Sequence, residues 1–160
     1  MTIKVGDKIP SAMLTTMTAD GPGPVSTDEY FAGRKIILFS VPGAFTPTCS
    51  AKHLPGFVDN AAALAAKGVD EVACYAVNDV FVMHAWGKSA DVAGKVTMLA
   101  DGSGDFTRAI GLEMDATAFG MGMRSKRFSM IVEDGTVTEL NVEEPGAFQV
   151  SSAEHALSQL

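Results

Sequence analysis

Cysteine is scarce. The 160 residues hold only Cys49 and Cys74, and a secreted disulfide framework normally carries more. Basic charge is also short, with 12 Lys and Arg against 19 Asp and Glu, a formal net charge of −7. That balance argues against nucleic-acid partners, because phosphate recognition needs clustered cations, and against adsorption to an anionic membrane surface. No run approaches the roughly 20 apolar residues that span a bilayer. The start, "MTIKVGDKIP", carries Lys4, Asp7 and Lys8 and has no apolar stretch of the kind a secretory signal needs. Internal repeats, low-complexity blocks and long linkers are absent too. These absences point to a cytoplasmic protein in a reducing compartment. What the chain does have is core material: 47% of its residues are hydrophobic, enough for one domain over residues 1–160.

Strands and helices alternate along the chain. "KIILFSV" (35–41), "EVACYAVN" (71–78) and "KVTMLAD" (95–101) read as buried strands. "DGPGP" (20–24) reads as a turn between an N-terminal extended region and a short helix, "STDEYFAG", capped by Ser, Thr or Asp. A helix is expected over 50–67, ended by Gly68 and kinked at Pro55, which lacks an N–H. Further helices are expected over 79–89 and 104–112. Asp134-Gly135 should turn a β-hairpin over 126–143, and "SSAEHALSQL" should form a capped terminal helix. The pattern is α/β, a mixed central β-sheet flanked by helices.

One loop concentrates the chemistry. "VPGAFTPTCSAKHLPGF" (41–57) places Cys49 between a strand end and a helix start, the crevice where open α/β sheets build their sites. Unpaired N–H groups and the helix dipole favour a thiolate there. Pro42 and Pro47 stiffen the loop. The bland alternative is a small buried residue at a turn. His53, at i+4 from Cys49, raises two other possibilities: a Cys–His nucleophile pair of the hydrolase kind, or the beginning of a zinc site. No further ligands follow at metal-finger spacing, so no metal is expected. His84 and His155 read as surface or packing residues. Cys74, in mid-strand, reads as a buried small hydrophobe, with a resolving thiol as its rival role.

The order "PGAFTPTC" resembles the P-x-x-x-T-x-x-C signature of the peroxiredoxins, with Pro42, Thr46 and Cys49 on the pattern. "VNDVFVMHAWGK" (77–88), "KVTMLADGSGDFTRAIGL" (95–112) and "RSKRFSMIVEDGTVTELNVEEPG" (124–146) are similar, in order, to the type II, or peroxiredoxin 5, subfamily. The resemblance covers nearly the whole chain. It implies a thioredoxin-like fold and an antioxidant thiol peroxidase that reduces hydrogen peroxide and alkyl hydroperoxides without a cofactor. It further implies that Cys49 is the peroxidatic cysteine, forming a sulfenic acid. Thr46 would bond the peroxide or thiolate, the N–H groups of Gly43 and Cys49 would add donors, and Pro42 would shield the sulfur. Arg124, rather than Arg127, would hold the thiolate. His53 is expected near the pocket. Phe45 and Phe119, with Met121 and Met123, are expected to border it and to form a homodimer interface.

Some subfamily members carry a resolving cysteine just before the last helix. Here that region reads "GAFQVSSAEHALSQL", with Val150 or a neighbour in its place. The resemblance therefore implies a one-cysteine cycle, finished by glutathione with glutaredoxin or by thioredoxin. The other readings are a thioredoxin-recycled enzyme with Cys74 resolving, a disulfide oxidoreductase, and a non-catalytic redox sensor.

Overall fold

A computed structural model describes all 160 residues. The chain opens with an antiparallel hairpin, β1 (Met13–Thr18) and β2 (Gly21–Ser26), and then a single turn of helix, α1 (Thr27–Tyr30). The expected turn at 20–24 is thus mostly strand. Glycine and proline mislead here because β2 is the edge of the sheet, where a missing N–H is tolerated.

Three apolar runs form the parallel centre: β3 (Lys35–Ser40), β4 (Glu71–Ala76) and β5 (Thr97–Ala100). Between them lie α2 (Leu54–Asp59), α3 (Ala61–Ala66) and α4 (Val80–Ser89). Asp79 caps α4 by accepting from the Val82 N–H at 2.9 Å. After β5 come α5 (Asp105–Ile110), β6 (Glu113–Asp115), a 3-10 turn over Thr117–Phe119, and β7 (Met123–Ser125). The hairpin is β8 (Phe128–Glu133) and β9 (Thr136–Val142). Its turn residues Asp134 and Gly135 both have positive φ, 47° and 78°, as a type I′ turn requires. The terminal helix, α6 (Ala153–Ser158), is capped by Ser152, which accepts from the His155 N–H.

The main sheet runs β2-β1-β5-β4-β3-β8-β9, and β6 pairs only with β7. It is a mixed seven-stranded sheet of thioredoxin-like kind. Alternation along β3 sends Ile37 and Phe39 to one face and Ile36 and Leu38 to the other. The first face holds Cys49, Cys74, Trp86 and Phe57; the second holds Phe106, Tyr75 and Phe128. Phe39 stacks on Phe57 with centroids 4.1 Å apart. Such a pair adds about 0.5–1.5 kcal/mol beyond its buried area, and it fixes α2 against the end of β3.

The expected helix over 50–67 is not uniform. Helical backbone begins at Pro47, passes through a π-turn over Cys49–His53, continues as α2 and breaks at Asn60 before α3. Leu54 N–H reaches back to the Cys49 carbonyl, one residue further than in an α-helix. Pro55 follows at once and has no N–H to give. The wider turn thus accommodates the proline where a simple kink was expected, and π-turns of this kind recur at functional sites.

Candidate active site

Two donors meet the Cys49 sulfur. Thr46 Oγ1 lies 2.8 Å away and Arg127 Nη2 donates across 3.0 Å. One group arrives by local spacing and the other by strand register. Thr46 and Cys49 are three residues apart at the start of the helix, so their side chains share a face. Arg127 immediately precedes β8, whose antiparallel register sets Phe128 opposite Ser40. Residue 127 therefore stands beside residue 41, where the cysteine loop begins.

Arg124 does not reach the sulfur. It lies on β7, opposite Met114, and its Nε donates to the Met121 carbonyl at 2.9 Å. Its Nη1 makes a long contact of 3.5 Å with the Pro42 carbonyl. The expectation of Arg124 at the thiol is corrected to Arg127. The two cations are three residues apart, and only the β3–β8 register separates their positions. Arg124 instead braces the Pro42–Gly43 turn. A Cβ on Gly43 would stand 3.1 Å from Met121 Cε and 3.2 Å from Arg124 Nη1, so glycine is what lets that brace close.

His53 has no bond to Cys49. It is fully buried. Arg127 Nη1 lies 2.8 Å from its Nδ1, and its Nε2 lies 2.9 Å from the Ser151 carbonyl oxygen. Arginine can only donate and a carbonyl can only accept. Nδ1 is therefore the acceptor and Nε2 carries the hydrogen. Burial, and then the Arg127 charge, lower the His53 pKa to about 3. A neutral ring with both nitrogens committed cannot act as base for Cys49, and a side chain so enclosed does not line a substrate pocket. The base role gives way, and the expected place near the pocket becomes one behind Arg127 rather than on its lining.

The Thr46 hydroxyl lies 2.8 Å from the Gly43 carbonyl oxygen as well as 2.8 Å from sulfur. It has one hydrogen for two acceptors. With the thiol protonated, S–H donates to Oγ1 while O–H donates to Gly43. With a thiolate, O–H turns to sulfur. The loop itself is pinned by Asn78 Oδ1, which accepts from the Ala44 N–H at 2.9 Å. Phe45 has φ 63°, a left-handed conformation costing about 1–3 kcal/mol for a residue with a side chain. Its ring lies 6.4 Å from that of Trp86, whose indole N–H donates to Ser50 Oγ.

Cys49 and Cys74 are both free and fully buried. A cleft of ≈ 580 Å³ is lined by Pro42, Thr48, Phe119, Lys126, Arg127 and Glu143 among others, so Arg127 links it to the buried Cys49 sulfur. Phe119 is 82% exposed and Phe45 53%. No three His, Cys, Asp or Glu side chains are placed to hold a metal ion. Glu143, which the sequence alone does not single out, accepts at Oε2 from the N–H groups of Gln149, Val150 and Ser151 and from the Ser151 hydroxyl, at 2.6–2.9 Å. Burial raises its pKa, but these bonds outweigh burial and leave it below the usual value.

Chemically, the arrangement is a buried thiol whose negative form is met by a hydroxyl and by a guanidinium that also lines a cleft. Comparisons with known proteins agree with it. The Redoxin family profile matches residues 4–157. Peroxiredoxin-2E-2, chloroplastic, of Oryza sativa subsp. japonica is 52% identical over 99% of this chain and 73% of its own length. Peroxiredoxin-2B of Arabidopsis thaliana is 48% identical over 99% of this chain and 98% of its own. Among solved structures, reduced Prx3 of Vibrio vulnificus in complex with hydrogen peroxide superposes with a TM-score of 0.95 at 51% identity, covering 99% of each chain. The chain thus belongs to the redoxin family and, within it, to the type II peroxiredoxins, which are thiol peroxidases.

Proposed function

We propose that Cys49 is the peroxidatic thiol of a one-cysteine peroxidase acting on hydrogen peroxide and small alkyl hydroperoxides. The observation that carries this reading is the pair of donors, Thr46 and Arg127, on its sulfur. The thiolate attacks one peroxide oxygen. An S–O bond forms as the O–O bond breaks, and the second oxygen leaves with the electron pair, taking up a proton as water or alcohol. Sulfur is oxidised by two electrons, to the sulfenic acid. Arg127 and the Thr46 O–H lie where negative charge moves between sulfur and the peroxide oxygens, so they stabilise the transition state. Pro42, at the cleft wall, limits water, and the Gly43 turn braced by Arg124 holds the approach path. The Vibrio vulnificus relative, half of whose residues match this chain, is a complex with hydrogen peroxide, and that likeness supports this substrate.

The cycle then closes on outside thiols. One thiol attacks the sulfenic sulfur and water leaves; a second reduces the resulting mixed disulfide. Glutathione with glutaredoxin is the proposed donor, with thioredoxin as the rival. Cys74 lies mid-strand on β4 with no exposure, and the segment before α6 has no cysteine. The proposed setting is the reducing cytoplasm. Exposed Phe119 on the cleft, with exposed Phe45 and Met123, supports a homodimer through these side chains.

Steady-state peroxide consumption tests the cycle. Turnover with glutathione and glutaredoxin that persists in Cys74→Ser and vanishes in Cys49→Ser is expected. Turnover with thioredoxin alone that needs Cys74 would overturn the one-cysteine cycle.

A further inference from the structure

The C-terminal segment is tied to the thiol through a closed circuit of hydrogen bonds. Glu143 follows β9, and its backbone N–H donates to the Arg127 carbonyl at 3.0 Å. Its carboxylate gathers the three N–H groups of residues 149–151 and the Ser151 hydroxyl onto one oxygen. Ser151, so held, presents its carbonyl to His53 Nε2 at 2.9 Å. His53 Nδ1 then accepts from Arg127 Nη1 at 2.8 Å, and the other arm of the same guanidinium donates to the Cys49 sulfur. The circuit leaves Arg127 at its backbone and returns to it at its side chain.

Each link is directional. The carbonyl fixes which His53 nitrogen carries the hydrogen. That tautomer leaves Nδ1 free to accept, and the acceptance orients one nitrogen of the fork so that the other faces sulfur. Packing alone would not set the tautomer: Phe39 at 4.8 Å and Phe148 at 4.9 Å flank the His53 ring, and an aromatic face is indifferent to which nitrogen is protonated. The remaining charged groups at this place are Lys126, which lines the cleft beside Arg127, and Glu144. Neither has a side-chain bond to His53 or to the sulfur.

We propose that Glu143 is a positioning residue of the thiol site, acting through the Ser151 carbonyl and His53 to hold Arg127 on Cys49. It touches neither substrate nor sulfur. The inference rests on Cys49 being the reacting thiol, and the experiment separates the two ideas. Reduced wild-type, Glu143→Ala, Glu143→Gln and Cys49→Ser proteins are compared by three readouts. These are the rate of reaction with hydrogen peroxide, the pH dependence of Cys49 alkylation, and the ring nitrogen NMR shifts of His53. Glu143→Ala is expected to slow the peroxide reaction about tenfold, the lower end of what loss of an outer supporting partner costs in metal sites. It should also move the alkylation midpoint to higher pH and mix the His53 tautomers. Glu143→Gln can place its carbonyl oxygen where Oε2 now sits, and should fall between wild type and Ala.

A folded Glu143→Ala protein with the wild-type rate, midpoint and tautomer overturns the proposal. If that variant does not fold, Glu143→Gln and Ser151→Ala, which removes only the hydroxyl bond, decide it: wild-type profiles in both overturn it, and smaller shifts in the same direction support it. Full peroxide reactivity in Cys49→Ser would instead overturn the assignment of the thiol itself.

Discussion

The two cysteines share one apolar layer and the same complete burial, yet their surroundings differ in kind. Cys49 has Thr46 Oγ1 and a guanidinium on its sulfur. Cys74 makes no side-chain hydrogen bond and stands in register with Phe39 and Met98, and burial, foremost, raises its pKa well above the usual value. Enclosure alone therefore does not set the reactivity of a thiol. What counts is whether the enclosure contains donors for the charged form, which replace the water that burial removes.

The strongest way to break this comparison is to exchange each sulfur for oxygen. Cys49→Ser should abolish measurable peroxide consumption. Cys74→Ser should keep the rate per folded molecule while losing about 1–3 kcal/mol of stability to a buried hydroxyl in an apolar place, read from urea midpoints. A large loss of rate in Cys74→Ser would end the contrast.

The next largest effect separates the two arginines. Arg127→Gln should lower kcat/KM for hydrogen peroxide by about a hundredfold to a thousandfold, as removal of one transition-state donor does. Arg124→Gln, which loosens only the Pro42–Gly43 turn, should cost less than about tenfold. Equal losses would mean that the sulfur contact of Arg127 is not what matters.

Thr46→Val keeps the shape and removes the hydroxyl. Loss of one bond to a charged group, about 1.5–3 kcal/mol, predicts a fall of roughly tenfold to a hundredfold in the same constant. The last comparison concerns stability rather than rate. The unfolded chain protonates His53 near its ordinary 6.5, whereas the folded site resists until about 3. The His53 contribution is complete above pH 6.5 and is lost as pH falls toward 3, at no more than about 1.4 kcal/mol per pH unit. Urea midpoints at pH 7 and pH 5 should show the decline, and His53→Asn should flatten it.

Much of this architecture is legible from residues that act locally. The apolar runs of β3, β4 and β5, the Asp134-Gly135 turn and the caps of α4 and α6 all carry their reasons within a few positions. Cys49 and Thr46 are legible too, through the resemblance to the peroxiredoxin signature, and their spacing of three fits one helical face. The failures share a different cause. Pro22 and Pro24 read as turn residues because edge position is a property of the assembled sheet. Arg124 and Arg127 are indistinguishable as residue types, and only the β3–β8 register tells them apart. Glu143 is invisible as a site residue, because its partners are backbone groups and the next link is the Ser151 carbonyl, which any residue would supply. The tautomer of His53 depends on that same carbonyl, 98 positions further along the chain, so nothing near the histidine announces it.

The proline-bearing edge strand has one further consequence. Pro22 and Pro24 stand in register with Met17 and Thr15, so the outermost strand cannot present an unbroken row of N–H donors to another chain. Growth of the sheet by strand addition is blocked on that side. A second copy that docks there would find no ladder to continue, and the homodimer proposed above through Phe45 and Phe119 leaves this edge aside.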